Sequence, residues 1–388
     1  MPVFQSKISP ASEAFRENWQ EILALVAELG ELNARAPALS ASNKEKFEQR
    51  GQLLPRERLA RLLDPGMPFL EIGNIAGYLL DTDKEEKSIP GSTIIAGIGF
   101  INGTRCAVVV DDSGIKAGSL TVAGGYRLKR TQEIALQQKL PFVHLVESAG
   151  GDLMNYTVEG FVEGGGLFAN LARLSKAGIP TLAILHGSST AGGAYMPGLS
   201  DYVVAVKGGG KAFLAGPPLL KAATCEIATE EELGGAEMHA TVSGLAEYLA
   251  DDDGEAVLMM REVIARLGWN TRCPVTGPQS FSEPAYDPDE IAGIVPVNYR
   301  KPYDVREVVA RIVDGSDFTD FKPRYGVSTV CLQTEIFGQR CGILGNNGPI
   351  DNDGATKASH FIQLCCQLGT PIIYLQNTTG YMVGKAYE

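Results

Sequence analysis

The segment Ile184-Leu-His186-Gly-Ser-Ser-Thr-Ala-Gly192-Gly193-Ala-Tyr195 runs from an apolar strand pattern into small residues and a glycine pair. Small residues let the backbone approach a ligand closely. Consecutive N–H groups at a helix start, with Ser189 or Thr190 as cap, then suit a developing oxyanion. The same glycines equally suit a tight strand-to-helix corner, which needs them for steric reasons alone. Two other loops carry chemistry-capable residues. Asp111-Asp-Ser-Gly-Ile-Lys116-Ala-Gly118 follows a strand pattern, with Arg127, Lys129 and Arg130 beyond it. That basic group could meet phosphates, or it could be a solvated helix face. Glu147-Ser-Ala-Gly150-Gly151-Asp152 ends another apolar run. Ligands bind at that end of open α/β sheets. Glu147 and Asp152 read as acid–base groups or as caps of the next helix.

Other chemistries are poorly supported. The sequence has no GxxxxGK[ST], no HExxH and no GxSxG, and GGGK at 208–211 has the wrong spacing for a phosphate loop. No two of the four histidines have metal-ligand spacing, so no metal is expected. A lone histidine after a strand, such as His186, is more often a satisfied core residue. Seven cysteines without a CxxC pair point to a reducing compartment. The net charge of −12 disfavours nucleic acid and anionic membranes. No apolar stretch nears the ~20 residues of a membrane span, and the N-terminus has no signal core, so the cytoplasm is expected. What remains is catalysis by backbone N–H groups. Glycine supports it: 45 of 388 residues, against a usual ~7%.

The elements that must hold these loops alternate in type. An amphipathic helix is expected over 12–36 and a second over 56–63. From residue 92, β-branched runs alternate with helical patterns: TIIAGIGFI, RCAVVV, a helix over KRTQEIALQQ, FVHLV, a helix over LFANLARLSK, TLAIL and YVVAV. This predicts an α/β core with parallel pairing. A Pro-rich acidic stretch, 277–293, reads as a linker, after which the texture resumes. It also repeats. Gly-Thr-Arg-Cys at 103–106 recurs as Gly-Gln-Arg-Cys 235 residues later, and LPFVHLVESAG recurs as TPIIYLQNTTG 230 residues later. The shared order argues for a duplicated domain. The second copy of the glycine pair would fall near position 422, so the chain is expected to be a truncated piece of a longer protein.

GQLLPRERLARLLDPG, SSTAGGAYMPGLSD, FLAGPPLLKAAT, EELGGAEMHATVSG, YDVREVVARIVDGSDF and LQNTTGYMVGKAYE, spanning 51–388, resemble the carboxyltransferase (β) subunit of biotin-dependent acyl-CoA carboxylases. The resemblance implies an α/β fold of two crotonase-like (ββα spiral) domains. They are assigned here to 1–285, with the N-terminal helical segment, and to an incomplete 286–388. It implies carboxyl transfer from carboxybiotin to an acyl-CoA. The N-terminal domain would hold acyl-CoA and the C-terminal domain biotin, with active sites formed between subunits. Gly192 and Gly193 fall on the family's oxyanion pair. Lys116, Gly118, Gly150, Gly151, Gly164, Ala191, Tyr195, Asn377, Thr378 and Tyr381 are the residues expected to bind coenzyme A thioester and biotin. No biotin-attachment lysine and no ATP-grasp-like loop is found, so a partner α subunit with biotin carboxylase and carrier functions is implied. Gly164 stands where the methylcrotonyl-CoA type commonly has a bulky aromatic, and GPIDNDGATKAS (348–359) looks more like the geranyl-CoA type. Geranyl-CoA is therefore favoured, with γ-carbon carboxylation, over methylcrotonyl-CoA. Two departures are Ala117, where glycine is usual, and Cys225, in the place of the glycine of AATGE. Readings of another class remain: a stand-alone hydratase or isomerase using Glu147, Asp152 or Glu163 as base, or a non-catalytic assembly subunit.

Overall fold

In the computed structural model the runs TIIAGIGFI and RCAVVV form a hairpin. The structure describes residues 4–152, 157–273, 279–298, 300–377, 380–385 and 387; Thr378 lies outside them. Helix α1 is Glu13–Ala41 and α2 is Pro55–Leu62. Strand β1 (Leu70–Glu71) pairs antiparallel with β2 (Ile94–Ile101), which pairs antiparallel with β3 (Thr104–Asp111). The β2–β3 turn, Asn102-Gly103, has φ of 47° and 70°, the twist a two-residue hairpin favours. The Asp64 carboxylate accepts both turn N–H groups, at 2.8 and 2.7 Å.

After β3 the expected parallel pairing begins. Helix α3 (Val122–Gln138) leads to β4 (Phe142–Val146), and α4 (Val158–Lys176) leads to β5 (Thr181–Leu185). A two-stranded parallel sheet, β6 (Ser188–Thr190) with β8 (Lys211–Phe213), brackets β7 (Tyr202–Val206) in sequence. Then come β9 (Tyr248–Ala250) and α5 (Asp253–Arg266). The main sheet has the order β1-β2-β3-β4-β5-β7-β9. One face, with Val109, Phe142, Val146 and Ala183, packs on Leu128, Leu167 and Leu171 of α3 and α4. The other, with Val108, Leu145 and Ile184, packs on Leu62 of α2 and Met260 of α5. Burial on both faces explains why these strands read as unbroken apolar runs, and each buried side chain contributes ~1.5–3 kcal/mol.

Two compact units divide the chain: 30–275 forms one, and 1–29 with 276–388 the other. Residues 1–29, assigned above to the first domain, thus cluster with the second. Phe15 is buried there, and a Cβ on Gly293 would lie 2.3 Å from its ring. Part of the stretch read as linker is a short helix, Ile291–Ile294. The apolar stripe of α1 is largely exposed at Leu23, Val26 and Leu29.

The second unit contains α6 (Val305–Val309), β10 (Phe318–Asp320), β11 (Thr329–Ile336), β12 (Gln339–Asn346), α7 (Asn352–Leu368) and β13 (Ile372–Leu375). β11 and β12 pair from Thr329↔Asn346 to Ile336↔Gln339, and β2 and β3 from Ile94↔Asp111 to Ile101↔Thr104. Every partner is displaced by 235. In the parallel pairs, Ala107↔Phe142 becomes Gly342↔Ile372, displaced by 235 and 230. These are the two offsets of the sequence repeat.

Candidate active site

The loops after β4 and β5 lie side by side at the carboxyl end of the sheet. Ser148 N–H donates to Ser188 O (3.1 Å), and Thr190 N–H donates to Ser148 O (3.2 Å). Gly150, with φ of 88°, sits where a Cβ would lie 3.1 Å from Thr190 O. A Cβ on Gly193 would lie 2.8 Å from Ser189 Oγ. Ala191 has φ of 50° and swings the chain into a short 3-10 turn, Ala191–Ala194. Gly192 and Gly193 thus open a helical turn, where N–H groups have no acceptor within the turn.

Behind the loops is a buried charged group. Arg58 of α2 donates through Nη1 to Glu147 (2.5 Å) and through Nε to Asp253 (2.9 Å). His186 Nδ1 lies 2.6 Å from the other Asp253 oxygen. Burial works against charge on Asp253, but the hydrogen bond and charge of His186, with Arg58, prevail, and its pKa falls to about 2. Burial, aided by Arg58, lowers the pKa of His186. Glu147 is held by Arg58 and is not in the cavity wall, so it is not placed to act as the base of a hydratase.

A cavity of about 980 Å³ opens beside the loops, towards α3 and α4. Gly150, Gly151, Gly164, Ala191, Gly192, Gly193 and Tyr195 all line it. Lys116 and Gly118 do not. Lys116 pairs with Asp152 (3.7 Å), and a Cβ on Gly118 would lie 2.1 Å from Glu147 O. In the other unit, Asn346 Nδ2 donates to Asn377 O (2.6 Å), and Asn377 N–H donates to Asn346 Oδ1 (3.2 Å). Tyr381 is 75% exposed there.

The basic trio does not act as one. Arg127 is buried and donates to the backbone carbonyls of Ile72, Gly91 and Ile94. Lys129 pairs with Glu163 (3.6 Å) and Arg130 with Glu133 (3.2 Å). Phe161 and Phe168 of α4, missed in the sequence, also line the cavity. Phe168 packs against Tyr195, with ring centroids 5.0 Å apart and the planes tilted by 47°. Their signal was the three- and four-residue spacing of Gly160, Phe161, Gly164, Leu167 and Phe168 along one helix face. Among the described residues, no cluster of three or more His, Cys, Asp or Glu is placed to hold a metal ion. No helix among them is long and apolar enough to cross a membrane.

Glycine loops beside a cavity on a crotonase-like α/β sheet are the setting that the sequence led us to expect of a carboxyltransferase acting on acyl-CoA. The carboxyl transferase domain model matches residues 46–388, and the chain belongs to that family. It is the carboxyltransferase component of a biotin-dependent acyl-CoA carboxylase. It is 44% identical to the probable biotin-dependent acyl-coenzyme A carboxylase beta2 subunit of Mycobacterium tuberculosis, covering 100% of this chain and 72% of that protein. It is 40% identical to the probable mitochondrial methylcrotonoyl-CoA carboxylase beta chain of Drosophila melanogaster, covering 100% and 69%. The crystal structure of the P. aeruginosa geranyl-CoA carboxylase beta subunit matches with a TM-score of 0.92 and 52% identity, covering 100% of this chain and 72% of that one. The transcarboxylase 12S structure, described as a hexamer assembly, matches at 0.57 and 29%, covering 94% and 72%.

Proposed function

We propose that the chain carboxylates the γ carbon of a branched β-methyl enoyl-CoA, with geranyl-CoA the favoured substrate over methylcrotonyl-CoA. Removing a γ proton pushes charge onto the thioester oxygen. The N–H groups of Gly192 and Gly193 stabilise that oxygen, each worth about 3–4 kcal/mol in a dry site. Gly150 and Gly151 hold the facing wall, and Tyr195 packs beside the acyl chain. Carboxybiotin, delivered by a partner α subunit, supplies the carboxyl group and the base. The braced Asn377 segment and the exposed ring of Tyr381 fit a flat bicycle with polar edges, and these residues would hold it. Lys116 and Gly118 border the loop beneath and would meet the CoA portion. Self-association of copies, with sites between subunits, belongs to the same reading, as does a cytoplasmic location.

The observation that carries the geranyl preference is Gly164. It lines the cavity, and a Cβ there would meet nothing within 4 Å. The space an aromatic ring would fill is open to a longer chain. The 52% identity to a geranyl-CoA carboxylase β subunit agrees. The test is kcat/KM for both thioesters, measured with the biotin-bearing partner. A preference for methylcrotonyl-CoA refutes the substrate.

A further inference from the structure

Arg58 is where the two glycine-bearing loops are tied together. Its side chain is buried. Its Nη1 donates to Glu147, the residue that leads out of β4 towards Gly150 and Gly151, and its Nε donates to Asp253 Oδ2. Asp253 Oδ1 lies 2.6 Å from Nδ1 of His186, the residue that leads out of β5 towards Gly192 and Gly193. One guanidinium on α2 thus holds the first residue after each strand, one directly and the other through Asp253.

That hold reaches the N–H donors in short steps. A Cβ on Gly187 would lie 2.5 Å from Glu147 Cδ, so the glutamate side chain lies against the residue that follows His186. Ser148 follows Glu147. Its N–H donates to Ser188 O, and its O accepts the Thr190 N–H. A Cβ on Gly193 would lie 3.3 Å from Ser148 Cβ. Moving the end of β4 therefore moves the turn that carries Gly193. Oxyanion donors act at ~2.7–3.1 Å, and a misplacement of ~1 Å, even one caused far from the chemistry, costs up to ~100-fold in rate.

We infer that Arg58 is a positioning residue for carboxyl transfer: its fork fixes the two loops against each other, so that the Gly192 and Gly193 N–H groups converge on the thioester oxygen. This rests on the donor role given to those glycines above. Two nitrogens of one planar group, at a fixed spacing, serve Glu147 and Asp253 at once. A lysine ammonium is a point charge on a flexible stem and does not fix that spacing. Arg58 also stabilises the fold, but a positioning role has its own signature. Charge on the thioester oxygen develops in the transition state, so kcat falls while binding of the ground-state thioester is kept.

The test uses the assembled carboxylase with its biotin-bearing partner, and whichever of geranyl-CoA and methylcrotonyl-CoA the wild type turns over faster. Arg58→Lys is expected to lower kcat about 100-fold while the calorimetric Kd of the thioester stays within about threefold. Leu62→Ala is the control, a fully buried residue one turn further along α2 in the core on the other face of the sheet. With its denaturant midpoint lowered as well, it is expected to keep kcat within about twofold. Wild-type kcat in Arg58→Lys overturns the proposal. So does an equal fall of kcat in Leu62→Ala, which traces the loss to stability alone. Should Arg58→Lys not fold, Glu147→Gln decides, since it leaves the Arg58–Asp253 pair intact. A kcat about tenfold lower with Kd kept supports the proposal, and an unchanged kcat overturns it. Gly192→Pro, which removes one N–H, keeps the two readings apart: full kcat in that variant refutes the donor role of the glycine itself.

Discussion

At position 164 the backbone has ordinary helical geometry and nothing stands within 4 Å of a Cβ, so a ring can be placed there without strain. Gly164→Phe is expected to lower kcat/KM for geranyl-CoA by ~100-fold or more and to leave methylcrotonyl-CoA within a few-fold. Paired steady-state assays check this, and a parallel fall for both thioesters would sink the role of that position. Cys225 ends the helix Pro217–Thr224 with φ of 62°, where glycine is the usual residue. Cys225→Gly should raise stability by ~1 kcal/mol, read as a shift in denaturant midpoint. Residues of this kind were legible because glycine placement carries geometry. Gly150, Gly192 and Gly193 share one cavity because their loops follow adjacent strands. Arg127 was not legible. Helical spacing tells which face it occupies, but its acceptors come from residues 72–94, whose loops show no periodic pattern.

The strand runs FVHLV, TLAIL and YVVAV coincide residue for residue with β4, β5 and β7. The helices are longer than their patterns. α3 starts at Val122 and α4 at Val158, because Gly-rich first turns read as loop by propensity. Thr121 and Thr157 cap them, each accepting the N–H of the glycine three residues on, at 3.1 Å. The short strands β1, β9 and β10 carry too few residues for a period to show. Arg58 ties α2 to the end of β4 and the start of α5. Arg58→Met takes the ion-pair partner from buried Glu147 and leaves Asp253 to His186 and the Leu53 N–H, and should cost ~3–5 kcal/mol, measured by chemical unfolding. Asp253 titrates below its unfolded value, so its contribution is present above pH ~4 and fades as the pH falls towards about 2. The penalty of Asp253→Asn is therefore expected to be largest at pH 7 and to shrink below pH 4. A constant penalty across that range would contradict the charge assignment.

Across the whole molecule, the repeat found in the letters is also a repeat of devices. Asp314 accepts the N–H groups of Phe337 and Gly338 at 2.8 and 2.7 Å, as Asp64 does for Asn102 and Gly103. Asp64→Ala and Asp314→Ala should each expose only their own turn, a pattern amide exchange can read at those four N–H groups. The sequence showed the duplication but not the grouping of residues 1–29 with the second unit. That grouping depends on a ring meeting a glycine nearly three hundred residues away.

Arg127 and Lys357 occupy the same position in matched helices, each six residues after the cap, at Thr121 and Asp351. Both are buried. The arginine fork is bound by three backbone carbonyls, whereas Lys357 Nζ has no hydrogen-bond partner among the described residues, and burial lowers its pKa. The same helix position is thus held in two different ways in the two copies. At 127 the shape of the cation is under constraint, and lysine cannot replace it. At 357 no hydrogen-bond acceptor is matched to the ammonium among the described residues, and only the more distant Asp320 charge favours it. Methionine would fill much the same volume at 357, whereas a lysine at 127 would leave backbone carbonyls without their donors.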